Sequence, residues 1–183
     1  AAPQRLLGRG RVHRDHRARL VQQPRQLAAA HEMHPVRDSQ VLGLALHGLA
    51  DAAAIGNVFS APPPDPILAA TRAVDAGAGV LYIYGNFSGD VMNFDMAAEL
   101  AAAEGIAVRS IVTTDDVASS PAESRAARRG VAGNVFVFKV AGAAAERRLP
   151  LDACESIARR ANARTYTMGI ALEAGSLPET RRP

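Results

Sequence analysis

The stretch best equipped to do chemistry is Gly85-Asn86-Phe87-Ser88-Gly89-Asp90-Val91-Met92-Asn93-Phe94. An apolar run, Val80 to Tyr84, leads into it, and a helix-like run, Asp95 to Glu104, leads away. Two glycines thus bracket a polar turn between a strand and a helix. In α/β proteins this is where ligands meet side chains, outside the carboxyl end of a strand. Asp90 is a carboxylate beside a helix N-terminus, which favours its charged form and lets it accept a hydrogen bond or a proton from a hydroxyl. Taken alone, a Gly-Asp at a helix start is most often a cap.

The other reactive side chains have plainer explanations. Asp115-Asp116 follows a strand and could hold a metal or a hydroxyl, but an Asx turn capping the next segment is preferred. Arg128-Arg129-Gly130 could clamp a phosphate; a solvated turn or helix end is slightly favoured. Cys154 lies on an apolar helix face and is read as core, not as a nucleophile. His31 and His34 are read as polar filler in an arm, and no metal site is expected. Lys139 is the only lysine and is followed by Val140, so the chain has no Gly-x4-Gly-Lys-Ser/Thr phosphate loop. Gly77-Ala78-Gly79 precedes a strand and lacks a third glycine. No nucleotide or other cofactor is therefore expected on this chain.

The elements that must position Asp90 follow from pattern. Asp65-Pro66 opens a helix over Ile67 to Ala76 that ends at Gly77. Val80 to Tyr84 is a strand. A helix over Asn93 to Glu104, with Met96, Leu100 and Ala103 on one face, ends at Gly105. Ile106 to Val112 is the next strand. Ser119 to Gly130 is a loop. Val131 to Glu146 is a buried helix and Leu151 to Asn162 an amphipathic one. Tyr166 to Leu172 is a final strand. Strand, turn, helix in succession give an α/β fold, a sheet with covering helices. We expect a single, incomplete domain over 43–178, with a polar tail over 179–183.

Charge divides the chain in two. Residues 1–47 hold eight arginines against three acids, and all five histidines; the remainder holds thirteen basic residues against fifteen acids. From Ala1 to about Leu42 no apolar period is sustained, so 1–42 is expected to be a disordered basic arm. Such an arm suits nucleic acid, an anionic surface or an organelle transit peptide. A segment without selected function, such as a vector extension or a shifted reading frame, is preferred, and nucleic acid is not expected as a partner. One cysteine excludes an intramolecular disulfide and suits a reducing compartment. No apolar stretch reaches the length of a membrane span, and no secretory signal is read.

Over roughly Gly43 to Pro178 the chain resembles the substrate-binding (DhaK-type) protein of the dihydroxyacetone, or glycerone, kinase family. The blocks that carry the likeness are Gly48 to Ser60, Ile67-Leu68-Ala69-Ala70 with Ala73-Val74-Asp75, the Asp90 turn continuing through Glu99, Arg128 to Gly133 with Lys139 to Glu146, and Met168 to Leu172. The resemblance implies phosphorylation of a short ketose in glycerol metabolism, in the cytoplasm. One histidine would hold the ketose as a hemiaminal. A second histidine and an aspartate would act on the hydroxyl that receives the phosphoryl group. Asp90 matches that aspartate, with Gly89 and Asn86 as substrate-binding neighbours. The phosphoryl group would come from ATP-Mg or a phosphoprotein on a separate donor domain or subunit, and the complete protein would be a homodimer.

The departures are equally specific. The family's Gly-Ser-Gly-His segment, whose histidine would fall near Arg37, is not written there, and no histidine follows His47. The Gly-x-His-Gly-Glu segment would lie beyond Pro183. The lysine common before the Asn-x-x-Gly-Asp turn is Gly85 here, similar to kinases directed at erythrulose-like tetroses. The expectation is a partial ketose-binding domain that is inactive alone. The alternative is a non-catalytic binding or regulatory relative.

Overall fold

The apolar run at Val80 to Tyr84 becomes a strand buried on both faces, and the rest of the fold is arranged about it. The computed structural model describes residues 49–173 except 58, together with Gly175 and the backbone of 19–22 and 41–42. The strands are β1 (Arg19–Gln22), β2 (Val41–Leu42), β3 (Ala52–Ala54), β4 (Val80–Gly85) and β5 (Val108–Thr113). The helices are α1 (Pro64–Val74), α2 (Ser88–Ala103), α3 (Asn134–Glu146) and α4 (Leu151–Ala163), with a 3-10 segment over Ala122–Ala127. The sheet order is β2-β3-β1-β4-β5; β3, β1, β4 and β5 run parallel and β2 is antiparallel to β3.

Side chains alternate along β4. Val80, Tyr82 and Tyr84 pack with Ile67, Ala70, Phe94 and Ala97 from α1 and α2. Leu81 and Ile83 pack with Val137, Phe138, Ala141, Cys154 and Ala158 from α3 and α4. Two covered faces explain why this strand is written without polar residues. The α/β sheet with covering helices is the expected class.

Several boundaries and faces differ from expectation. Helix α1 begins at Pro64 behind the N-cap Pro63, and Asp65 lies within its first turn. Helix α2 begins at Ser88 and so absorbs most of the expected turn. Its buried face is Asp90, Phe94, Ala97 and Ala101, while Met96 and Leu100 are 48% and 41% exposed. The expected Met96–Leu100 face is corrected: flat Phe94 and small alanines fit against the two tyrosines of β4, where long methionines would not. The expected final strand is also corrected. Thr167 makes one parallel bridge with Asp116, and among the described residues nothing pairs with 168–172. Tyr166, Met168, Ile170 and Leu172 alternate but stay exposed. The buried helix read over Val131 to Glu146 is α3, and Leu151 to Asn162 is α4.

Two stretches of the expected basic arm lie in the sheet. Arg19–Gln22 is the strand between β3 and β4, and Val41–Leu42 pairs with β3. The rest of the arm, with His31, His34 and Arg37, lies outside the described residues, as does the tail from Ser176 on. Among the described residues no helix is long and apolar enough to cross a membrane.

Candidate functional site

From β1 the chain runs to one side of the sheet, and from β3 it crosses to β4 on the other side. The carboxyl ends of β1 and β4 therefore flank a topological switch point, where open parallel sheets form a crevice for ligands. Gly85 ends β4 at this point. Asn86 and Phe87 follow, and Ser88 opens α2. Asp90 is in the first turn of α2, where the free backbone N–H groups favour an anion. Its side chain is fully buried, where a turn open to ligands would leave it accessible. Tyr84, one residue before the turn, is stacked on Phe94 at 4.3 Å between centroids. Its hydroxyl donates to Asp95 Oδ1 at 3.4 Å. Burial pushes that hydroxyl up to about 12, the Ser110 hydrogen bond opposes the rise, and Asp95 and Asp90 add to it.

The other two expected contacts occupy different positions. Gly89 is partly buried, and a Cβ placed there would meet Ala61 at an ordinary 3.4 Å. The Asn86 amide donates to the carbonyls of Ala126 (2.9 Å) and Arg128 (2.8 Å). Both of its amide hydrogens thus hold the loop that covers the ends of β4 and β5.

That loop is anchored from its far side by a residue read as a simple turn. Asp115 is fully buried. Its Oδ1 accepts from Val131 N–H at 3.0 Å and its Oδ2 from Gly133 N–H at 2.8 Å. Thr167 Oγ1 also donates to Oδ2. Asp116 does make the expected local turn, accepting from Ala118 N–H at 3.1 Å, and it also pairs with Arg129 at 2.8 Å. Arg128 is buried and donates Nε–H to the Ser120 carbonyl. Both arginines are thus engaged within the fold, Arg128 buried and Arg129 paired with Asp116, which fits neither a phosphate clamp nor a solvated turn. Cys154 is buried in the core, as read, and burial pushes its thiol up. Among the described residues no group of three or more His, Cys, Asp or Glu could hold a metal ion.

Comparison with known proteins gives a consistent family. The Dak1 domain model matches residues 40–183, beginning just inside the expected arm. The chain is 51% identical over 139 residues to the dihydroxyacetone-binding subunit DhaK of PTS-dependent dihydroxyacetone kinase 2 from Listeria innocua, covering 76% of this chain and 41% of that subunit. It is 43% identical over 136 residues to a D-erythrulose kinase of Mycolicibacterium smegmatis, covering 74% of this chain and 23% of that enzyme. Among solved structures it is similar to the dihydroxyacetone kinase of C. freundii in complex with AMP-PNP and Mg2+, with TM-score 0.67 and 30% identity over 86% of this chain and 27% of that one. It is also similar to the dihydroxyacetone kinase operon co-activator Dha-DhaQ, with TM-score 0.61 and 31% identity over 79% of this chain and 42% of that one. The chain spans about two fifths of the subunits and about a quarter of the longer kinases that it matches. On a family match that covers most of its length, the chain belongs to the Dak1 domain family.

Proposed function

We propose that the chain is the ketose-binding part of a kinase acting on dihydroxyacetone or a related short ketose such as erythrulose. Asp90 is the group that accepts the proton of the hydroxyl to be phosphorylated. The observation that carries this reading is the placement of Asp90 in the first turn of α2, at the switch point of a parallel sheet. A helix N-terminus favours an anion, and a hydroxyl brought within hydrogen-bond reach of a carboxylate can pass its proton to it. Asn86 also acts through the loop it holds. The phosphoryl group comes from a separate donor, ATP-Mg on another domain or a phosphoprotein subunit, and the complete protein is a homodimer. A cytoplasmic location follows from the same reading.

The family's first histidine is not written near Arg37, and on this reading residues 1–183 alone bind ketose weakly and turn none over. Titration of dihydroxyacetone and erythrulose, followed by amide shifts, should show saturable changes over 86–90. Asp90→Asn should abolish them, and ketose-dependent phosphoryl transfer with an added donor domain should stay at background. Restoring the missing family segments should bring turnover. Asp90→Asn in that version should then lower turnover by about 100-fold or more, the usual loss on removing a general base. Turnover by the chain as it stands would sink the inactivity claim, and a near-parental Asp90→Asn would sink the role of Asp90.

The likeness to an operon co-activator favours a second reading, a regulatory relative that keeps the ketose site and lacks chemistry. Tight binding of a protein partner, with ketose binding but no turnover even in the restored version, would select it.

A further inference from the structure

The loop between β5 and α3 is held in place by polar contacts. From Val117 to Ala127 no side chain is buried. Its two stems are tied to each other. The Asp116 N–H donates to the Arg129 carbonyl at 3.0 Å, the Arg129 N–H to Ser119 Oγ at 3.0 Å, and Arg128 Nε–H to the Ser120 carbonyl at 2.8 Å. Two outside moorings set its position. On one side Asn86 donates to the carbonyls of Ala126 and Arg128, beside the turn that carries Asp90. On the other side the segment after α4 grips it. Arg125 donates Nη2–H to the carbonyls of Asn162 (2.6 Å) and Thr165 (3.1 Å), at the carboxyl end of α4, where a cation is favoured. Its guanidinium lies 4.6 Å from the centre of the Tyr166 ring. Thr167 donates its N–H to the Asp115 carbonyl at 2.8 Å and accepts from the Val117 N–H at 2.9 Å.

We propose that Arg125 is a buckle that couples the 165–167 segment to the turn before Asp90. A loop with no buried apolar side chain has little beyond these bonds to hold it shut, so it opens as a unit at low cost. Arg125, Ala126 and Arg128 lie in one 3-10 turn and its cap, closed by the Arg128 N–H on the Arg125 carbonyl at 3.0 Å. An opening that begins at Arg125 therefore carries Ala126 and Arg128 with it and breaks the bonds to Asn86. The coupling runs equally in the other direction, because one free energy links the two moorings. A displacement of the chain after α4 thus reaches the end of β4, from which α2 and Asp90 set out. The inference concerns the loop alone and stands apart from the proposed function.

The test is amide hydrogen exchange, residue by residue, on the full chain and on the variants Arg125→Gln, Tyr166→Ala and Asn86→Ala. Arg125→Gln should speed exchange about five-fold or more at Val117 and Arg128, and also at the Asn86 N–H, which is paired with the Thr113 carbonyl. Asn86→Ala should speed it at Val117 and Thr167, on the opposite mooring. Amides at Leu81 to Ile83, in the middle of β4, should keep their parental rates in both, which separates loop opening from a general loss of stability. Tyr166→Ala leaves Arg125 in place and should act in the same direction at smaller size; it carries the test if Arg125→Gln does not fold. Unchanged exchange at Val117 in Arg125→Gln overturns the buckle. Faster exchange at Val117 with Asn86 unchanged overturns the coupling. Equal acceleration within β4 overturns the loop as a separate unit. No ketose enters these readings, so their failure and that of the proposed function are told apart.

Discussion

Asp115 is the residue whose environment departs furthest from its local sequence. A carboxylate after a strand looks like a turn former, and Asp116 behaves as one. Asp115 instead reaches three donors on residues that lie sixteen, eighteen and fifty-two positions further along. Nothing within a few residues signals this, because the donors are backbone groups and a hydroxyl brought in by the fold. Asp115→Asn would set an amide N–H against one of these donors and leave it unsatisfied. We expect a loss of about 2 kcal/mol of stability, read by urea unfolding with an unchanged m-value; a loss below about 0.5 kcal/mol, the size of an ordinary surface change, would contradict the anchoring role. The position of Asp90 at the start of a helix after a strand was legible because two glycines, a strand and a helix define its turn within ten residues; its burial was not. Asn86 was legible as part of that turn, but its partners at Ala126 and Arg128 are forty residues away and were not.

At the scale of the element, α2 shows how an apolar helix leaves its orientation open. Met92, Met96 and Leu100 form one stripe, and Phe94, Ala97 and Ala101 another. Periodicity alone cannot rank them; the shape of the sheet does. Phe94 lies edge-on to Tyr82 at 5.4 Å and stacks on Tyr84 at 4.3 Å. Phe94→Ala should cost about 3–5 kcal/mol, and Met96→Ala should stay within about 0.5 kcal/mol. Thermal or chemical unfolding of the two variants decides between the stripes, and a reversed order would restore the Met96 face. The 166–172 segment makes the complementary point. Alternation gives a strand its faces, but pairing gives it existence, and among the described residues 168–172 has no partner.

For the whole molecule, the α/β class was readable because β4 carries apolar residues on both faces and glycine-ended helices flank it. The sheet order was not readable. The strand between β3 and β4 is Arg19–Gln22, a segment whose neighbours are polar and basic and which shows no strand period of its own. Its place comes from long-range pairing. The basic character of the first 47 residues therefore does not mark them off from the fold along their whole length.

The side chain of Asn162 gives the sheet a boundary. Among the described residues β5 is the outermost strand on its side, and an open outer strand is a template for other chains. Asn162 reaches across from the end of α4, donates Nδ2–H to the Val112 carbonyl at 3.0 Å and accepts from Thr114 N–H at 3.1 Å. One side-chain amide thus imitates a residue of a neighbouring strand, and the Asp116–Thr167 bridge extends the imitation. Asn162→Ala would return two backbone groups to solvent at the carboxyl end of β5. The expected result is self-association that grows with protein concentration, seen by light scattering under conditions where the parent stays monodisperse. The residue would then be a guard against recruitment of foreign strands, its worth measured in solubility and not in the stability of a single molecule.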